Sequence, residues 1–165
     1  FYQSTRMIAI NKIESNVYYD FILKHFKRAK KEVCHEIIEF ILSLSHQHTY
    51  YVQAIANYLY SLEIQPKSVK EFELLYRDYI LEKSVFYREL PELLTKQQFS
   101  LLKAIAKSST VSNPNSAGFR EASKIEGPSS MYRAINSLLD KQLIIKENGS
   151  FRLYDVFLEH YLRYI

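Results

Sequence analysis

Leu143-Ile144-Ile145-Lys146-Glu147, Asn148-Gly149, Ser150-Phe151-Arg152-Leu153 reads as strand, turn, strand. A two-residue type I′ turn needs positive φ at both positions, and asparagine followed by glycine meets that need best. Working upstream, Pro128 suits the first turn of a helix, where its missing N–H costs nothing. In that helix Met131, Ile135, Leu138 and Leu139 recur at i, i+4, i+7, i+8 and face inward. Before it come a short helix over about 117–125, closed by Glu126-Gly127, and a polar loop over 108–116 containing Pro114. Thr95-Lys96-Gln97-Gln98 has the spacing of a capping box and opens a helix carrying Phe99, Leu102, Ile105 and Ala106. Downstream, Val156, Phe157, Tyr161 and Leu162 mark a last helix over about 155–164. Helix, loop, helix, tight turn, helix, hairpin, helix is the order of a winged helix-turn-helix.

Residues before this half are helical in rhythm. Val17, Phe21, Ile22 and Phe26 share one face of a helix that starts after Ser15, a residue of N-cap type, and ends in Lys27, Arg28, Lys30 and Lys31. Cations there suit the negative end of a helix dipole. Val33, Ile37, Ile38, Ile41, Leu42 and Leu44 predict a second helix, broken at His46-Gln47-His48-Thr49. Tyr51, Ile55, Tyr58, Leu59 and Leu62 predict a third. Pro66 follows, and Ser68 with Glu71 forms another capping box before Phe72, Leu75, Tyr76, Tyr79 and Ile80. The fold class is mainly α: a lid-type helical bundle over 1–90, then a winged helix-turn-helix over 95–165 with a small hairpin wing. The boundary falls at about 88–95, around Pro91.

Composition limits the function. In 165 residues, 47% apolar and 24% charged, the chain is globular in balance. No apolar run approaches the ~18 residues of a membrane span and no signal peptide is evident, so no membrane partner is expected. Cys34 is the one cysteine, which excludes a disulfide framework and fits a reducing, cytoplasmic setting. Gly118, Gly127 and Gly149 are the three glycines, and neither GxxxxGK(S/T) nor GxGxxG occurs. The chain thus carries no phosphate-cradling loop of its own. Its first residues, Phe1-Tyr2-Gln3-Ser4-Thr5-Arg6, read like the middle of a longer protein. Charges balance through residues 1–94, so the formal +4 lies entirely in residues 95–165. That excess permits contact with nucleic acid without requiring it.

In a winged helix the helix after the tight turn is the recognition helix. Its outward face here comprises Ser129, Ser130, Tyr132, Arg133, Asn136 and Asp140, with Lys146 and Arg152 on the wing. Arginine pairs with guanine, asparagine with adenine, and serine or lysine with phosphate. A dedicated DNA reader gathers more cations than this face offers, since phosphate neutralisation supplies much of the affinity. Cys34, His35, His46 and His48 match no common zinc spacing. No carboxylate pair or nucleophile–base pair stands out either. No catalytic residue and no metal ligand is assigned.

Three stretches together resemble the C-terminal part, helical lid plus winged helix, of prokaryotic AAA+/STAND-like ATPases of the archaeal-type family, in its Bacteroides-like branch. The first is Phe1-Tyr2-Gln3-Ser4-Thr5-Arg6 through Ile10-Asn11-Lys12-Ile13, then Tyr19-Asp20-Phe21-Ile22 and His25-Phe26. It is similar to the segment leaving the ATPase core and entering the lid. The second is His48-Thr49-Tyr50-Tyr51-Val52-Gln53, which resembles an aromatic-rich lid motif beside the nucleotide. The third combines Leu94 to Gln98, Leu101 to Ala106, Pro128-Ser129-Ser130, Leu138 to Lys141 and Tyr154-Asp155, similar to the family's winged helix.

The resemblance implies that the phosphate loop and the magnesium-binding acid lie in a missing N-terminal ATPase core, which is the expected partner. ATP and Mg would be cofactors of that longer protein, and none is expected in this stretch, which is not itself an enzyme. Thr49, Tyr50 and Tyr51 would approach the nucleotide; Thr49 as an N-cap and the two tyrosines as lid packing are the plainer alternatives. Some relatives supply a histidine from the winged helix to the phosphate, and His160 is the histidine this half offers. The function expected is regulatory: the lid closes on ATP and the winged helix transmits the switch. The alternative is a DNA-binding winged-helix transcriptional regulator with an N-terminal dimerisation or sensor module. DNA and self-association stay open as further interactions.

Overall fold

A computed structural model describes residues 13–165. The Phe1–Lys12 part of the first resemblance lies outside the described residues. The described chain is mainly helical with one two-stranded antiparallel hairpin, and it divides into two compact units at Phe72/Glu73.

The first unit contains α1 (Ser15–Arg28), α2 (His35–Leu44), α3 (Thr49–Ser61) and the start of α4 (Val69–Lys83). Its core is built from Tyr18, Ile22 and Phe26 of α1, Ile37, Ile38, Ile41 and Leu42 of α2, and Val52, Ile55 and Leu59 of α3. Phe72 closes it, edge-on to Phe40. The inward stripe of α1 differs from the expected one. Val17 and Phe21 are 54% and 49% exposed, and Tyr18-Ile22-Phe26 takes the i, i+4, i+8 line instead. Tyr18 tolerates burial because its hydroxyl lies 2.5 Å from Thr49 Oγ1. Glu14, not Ser15, occupies the N-cap position of α1, with no side-chain cap bond.

Lysine chemistry in this unit is local. Lys31 Nζ donates to the carbonyls of Tyr60 and Leu62, the latter at 3.0 Å, and lies 4.8 Å from the Tyr60 ring centroid. Part of the basic run therefore serves the C-terminal end of α3 as well as that of α1. Between α2 and α3 the chain turns through His46 (φ 47°) and Gln47 (φ 57°), two left-handed residues without a glycine. At the start of α4, Ser68 Oγ accepts from Glu71 N at 3.2 Å, and Glu71 Oε2 accepts from Lys67 N at 2.6 Å. The glutamate thus reaches one residue further back than the box spacing predicts.

The second unit holds the rest of α4, a 3₁₀ segment over Ser84–Glu89, α5 (Leu90–Leu93), α6 (Lys96–Ser108), α7 (Ala117–Ser123), α8 (Pro128–Asp140), β1 (Ile144–Glu147), β2 (Ser150–Leu153) and α9 (Val156–Tyr164). Asn148 (φ 50°) and Gly149 (φ 80°) make the positive-φ turn. The register pairs Ile144 with Leu153, Ile145 with Arg152, Lys146 with Phe151 and Glu147 with Ser150. Both halves of the Thr95–Gln98 capping box are present.

Val111, expected in a polar loop, is buried and pairs with Phe151 through two backbone bonds of 2.8 and 2.9 Å. This bridge gives the hairpin a third edge. α9 is the centre of the unit: Leu158, Glu159, His160, Tyr161 and Leu162 are all buried. Tyr76, Tyr79 and Tyr87 pack their rings on His160, Phe157 and Tyr161 of that helix. Residues 73–94 thereby belong to the second unit, which places the division upstream of the 88–95 stretch. Leu75, at an inward spacing on α4, is exposed.

Candidate functional site

The first turn of α3 gathers aromatic side chains. His48 occupies the N-cap position with extended backbone and no side-chain cap bond, so Thr49 is the first helical residue and does not cap. Its hydroxyl is taken by Tyr18. Tyr50 is 61% exposed, with its ring centroid 5.1 Å from that of Tyr51. Tyr51 lies 5.2 Å from the His48 ring. First-turn amides have no intrahelical acceptor, and the positive end of the helix dipole is there too. The arrangement offers exposed π faces beside an electropositive helix start, which suits an aromatic, anionic ligand edge. Sequence spacing found Thr49, Tyr50 and Tyr51 but missed His48 as a ring partner and Tyr18 as the anchor of Thr49. A tyrosine four residues before Ile22 on the buried line was the available signal.

The face of α8 is arranged as its periodicity predicts. Ser129 and Arg133 are exposed, Tyr132 is 67% exposed, and Ser130 and Asn136 are half-buried. Arg133 Nη2 lies 3.4 Å from Ser130 Oγ, and Asp140 stands exposed at the end of the helix. On the wing, Arg152 is engaged: Nε donates to Glu147 Oε2 at 2.8 Å and Nη1 to the Leu153 carbonyl at 3.2 Å. Lys146 Nζ sits 5.5 Å from the Phe151 ring centroid. The wing arginine is therefore paired inside the hairpin, leaving Arg133 and Lys146 as the cations of this surface.

His160 is a core residue, with Nδ1 2.6 Å from Tyr76 Oη. Burial first, then the charges of Tyr164, Tyr79, Asp155 and Glu159, push the Tyr76 phenol far above its ordinary range. The hydroxyl thus keeps its proton. Beside it, the buried Glu159 pairs with Arg163, which also donates to the Ala106 carbonyl at 2.7 Å and to Ser109 Oγ at 2.9 Å. Asp155 caps α9 through Phe157 N and Leu158 N and accepts from Tyr87 Oη at 2.5 Å. Cys34 Sγ is 3.3 Å from the Lys67 carbonyl. Among the described residues no group of three or more His, Cys, Asp and Glu side chains is placed to hold a metal ion. No described helix is long and apolar enough to cross a membrane.

Residues 85–164 match a family model described as a probable winged helix domain. No curated protein matches the chain. Among solved structures the chain is similar to the Walker-type ATPase PABY2304 of Pyrococcus abyssi. The TM-score is 0.59 at 13% identity, and the match covers 92% of this chain and 42% of that one. Identity this low shows a shared fold, and the chain spans less than half the length of that protein.

Proposed function

We propose that this chain is the C-terminal regulatory part of a nucleotide-switched AAA+/STAND-like ATPase. The observation that carries the reading is the likeness to a Walker-type ATPase over 92% of this chain, which takes in residues of both compact units. A winged helix alone would account only for residues 85–164. More than half of that ATPase has no counterpart here, and this sequence carries no phosphate-cradling loop. The missing partner is then a core that binds ATP and Mg, and this chain by itself does not turn ATP over.

In this reading the first unit is the lid. The first turn of α3, with Tyr50 exposed and Tyr51 half-buried beside the positive end of the dipole, closes on nucleotide held by the core. Nucleotide state is read as differential contact with that turn, which biases a two-state movement of the winged helix in the reducing cytoplasm. The exposed Ser129, Tyr132 and Arg133 of α8 favour a second output, DNA contact, in which Ser130, Asn136 and Lys146 would assist. The pairing of Arg152 with Glu147 weakens it.

The test is the coding sequence upstream of Phe1 together with an ATPase assay. The expected result is an upstream GxxxxGK(S/T), hydrolysis by the longer gene product and none by the 165-residue chain. Turnover by the 165-residue chain, or an upstream sequence without that motif, overturns the reading.

A further inference from the structure

The end of α6 holds a backbone conformation that its sequence does not favour. Ser109 has φ 62° and ψ −53°, and Thr110 N donates to the Ser108 carbonyl across it at 2.7 Å, which closes a γ-turn. A γ-turn of this hand is strained for any residue with a side chain, and it persists only where the surroundings hold it. Serine, not glycine, occupies the position.

The holder is α9. Arg163 Nε donates to the Ala106 carbonyl at 2.7 Å and Nη2 to Ser109 Oγ at 2.9 Å, while the same guanidinium pairs with the buried Glu159. Beyond the turn, Val111 reaches β2 and exchanges two backbone bonds with Phe151. Val111 is the one aliphatic side chain between Ser108 and Ser116, with exposed Thr110 and Ser112 on either side. Docking of this strand edge therefore rests on two bonds and one side chain, and the strain at Ser109 works against them. The β1–β2 ladder meets no such opposition, because Asn148 and Gly149 adopt the positive φ of its turn easily.

We propose that the Ser109 turn is a latch through which α9 controls the wing. In the latched state Val111 forms a third strand edge on the hairpin. When Arg163 releases Ser109 Oγ, the turn relaxes, Val111 leaves, and the Phe151 N–H and carbonyl become an open strand edge. Helix α9 is in place to work the latch because it also carries His160 and Tyr161 against Tyr76 and Tyr87. A displacement of residues 73–94 thereby reaches the wing through Arg163. The latch lies wholly within the second unit and does not depend on the nucleotide reading.

The test is native-state amide exchange on the 165-residue chain without nucleotide, corrected for intrinsic rates. The Val111 and Phe151 amides report the latch. The Tyr154 amide, which donates to the Leu143 carbonyl at 3.1 Å, reports the hairpin itself. In the unaltered chain Val111 and Phe151 should exchange about tenfold or more faster than Tyr154. Ser109→Ala keeps the strain but removes the tie to Arg163, and should speed both bridge amides about tenfold with Tyr154 unchanged. Ser109→Gly lacks the tie and also the strain, and its bridge amides should exchange about fivefold more slowly than those of Ser109→Ala. Common exchange of all three amides in the unaltered chain would mean that the wing opens as one body, and overturns the latch. Bridge amides indifferent to Ser109→Ala, or equal in Ser109→Ala and Ser109→Gly, overturn it too.

Discussion

Helices α1 and α9 look alike as strings of letters, each with aromatic and aliphatic side chains three and four residues apart. Their environments are opposite. α9 buries a carboxylate and an imidazole along with its apolar residues, whereas α1 leaves Val17 and Phe21 in water. Periodicity reports that a helix has an apolar stripe, but how much of its circumference is covered depends on what packs around it. α9 is the hub of its unit, with α6, β2 and three tyrosines from residues 73–94 about it, so even its polar positions had to find partners inside. Buried polarity there and exposed apolarity on α1 each mark a departure from the simple rule of apolar in, polar out.

The contrast can be broken most forcefully at Arg163. Arg163→Ala leaves the buried Glu159 carboxylate without its guanidinium partner. An unfolding titration in urea should show a loss of about 3–5 kcal/mol. A loss under about 1 kcal/mol would mean that Glu159 is compensated in another way. Ile22→Ala, on the covered line of α1, should cost about 2–4 kcal/mol in the same assay.

Tyr76→Phe deletes the bond to His160 and should cost about 1–2 kcal/mol at neutral pH. It also has a pH signature. Tyr76 is raised by burial, as is Tyr164, which burial and then Glu73 push up. Above about pH 10 the unfolded chain releases these protons while the folded chain retains them. Stability therefore falls as pH rises, by about 1.4 kcal/mol per pH unit for Tyr76, and by less for the half-buried Tyr164, whose charge water screens. Tyr76→Phe should make that alkaline decline shallower, and an unchanged slope would show that Tyr76 ionises freely in the folded state. The smallest effect is expected at Val17. Val17→Ser should change stability by under about 0.5 kcal/mol, and a large loss would mean that this face of α1 is covered within this chain.

Much of the winged helix was legible because its signals are local. Asn148-Gly149 fixes its turn through φ alone, the Thr95–Gln98 box is closed within four residues, and Pro128 opens α8. What stayed hidden was non-local. Val111 sits among serines and asparagines, and only the strand edge of Phe151 explains its burial. The extent of the second unit depended on Tyr76, Tyr79 and Tyr87 meeting a helix some seventy to eighty residues further along, and no window of sequence shows that pairing. At the candidate site, Tyr50 and Tyr51 stood out as aromatics at a helix start. His48 and Tyr18 gained their roles only once the turn and the helix–helix contact existed. Arg152 read as a wing cation because its tie to Glu147 runs across the hairpin.

Whether the start of α3 meets nucleotide decides if the first unit acts as a lid. Backbone amide exchange at residues 49–52 of the longer gene product, followed with ATP, with ADP and with neither, measures that contact directly. A helix start without a ligand exchanges fast, so protection there is informative. ATP should slow these amides by about tenfold or more relative to the nucleotide-free protein, with ADP giving less protection. Identical exchange in all three states, at saturating nucleotide, would contradict the claim that this turn reads the nucleotide.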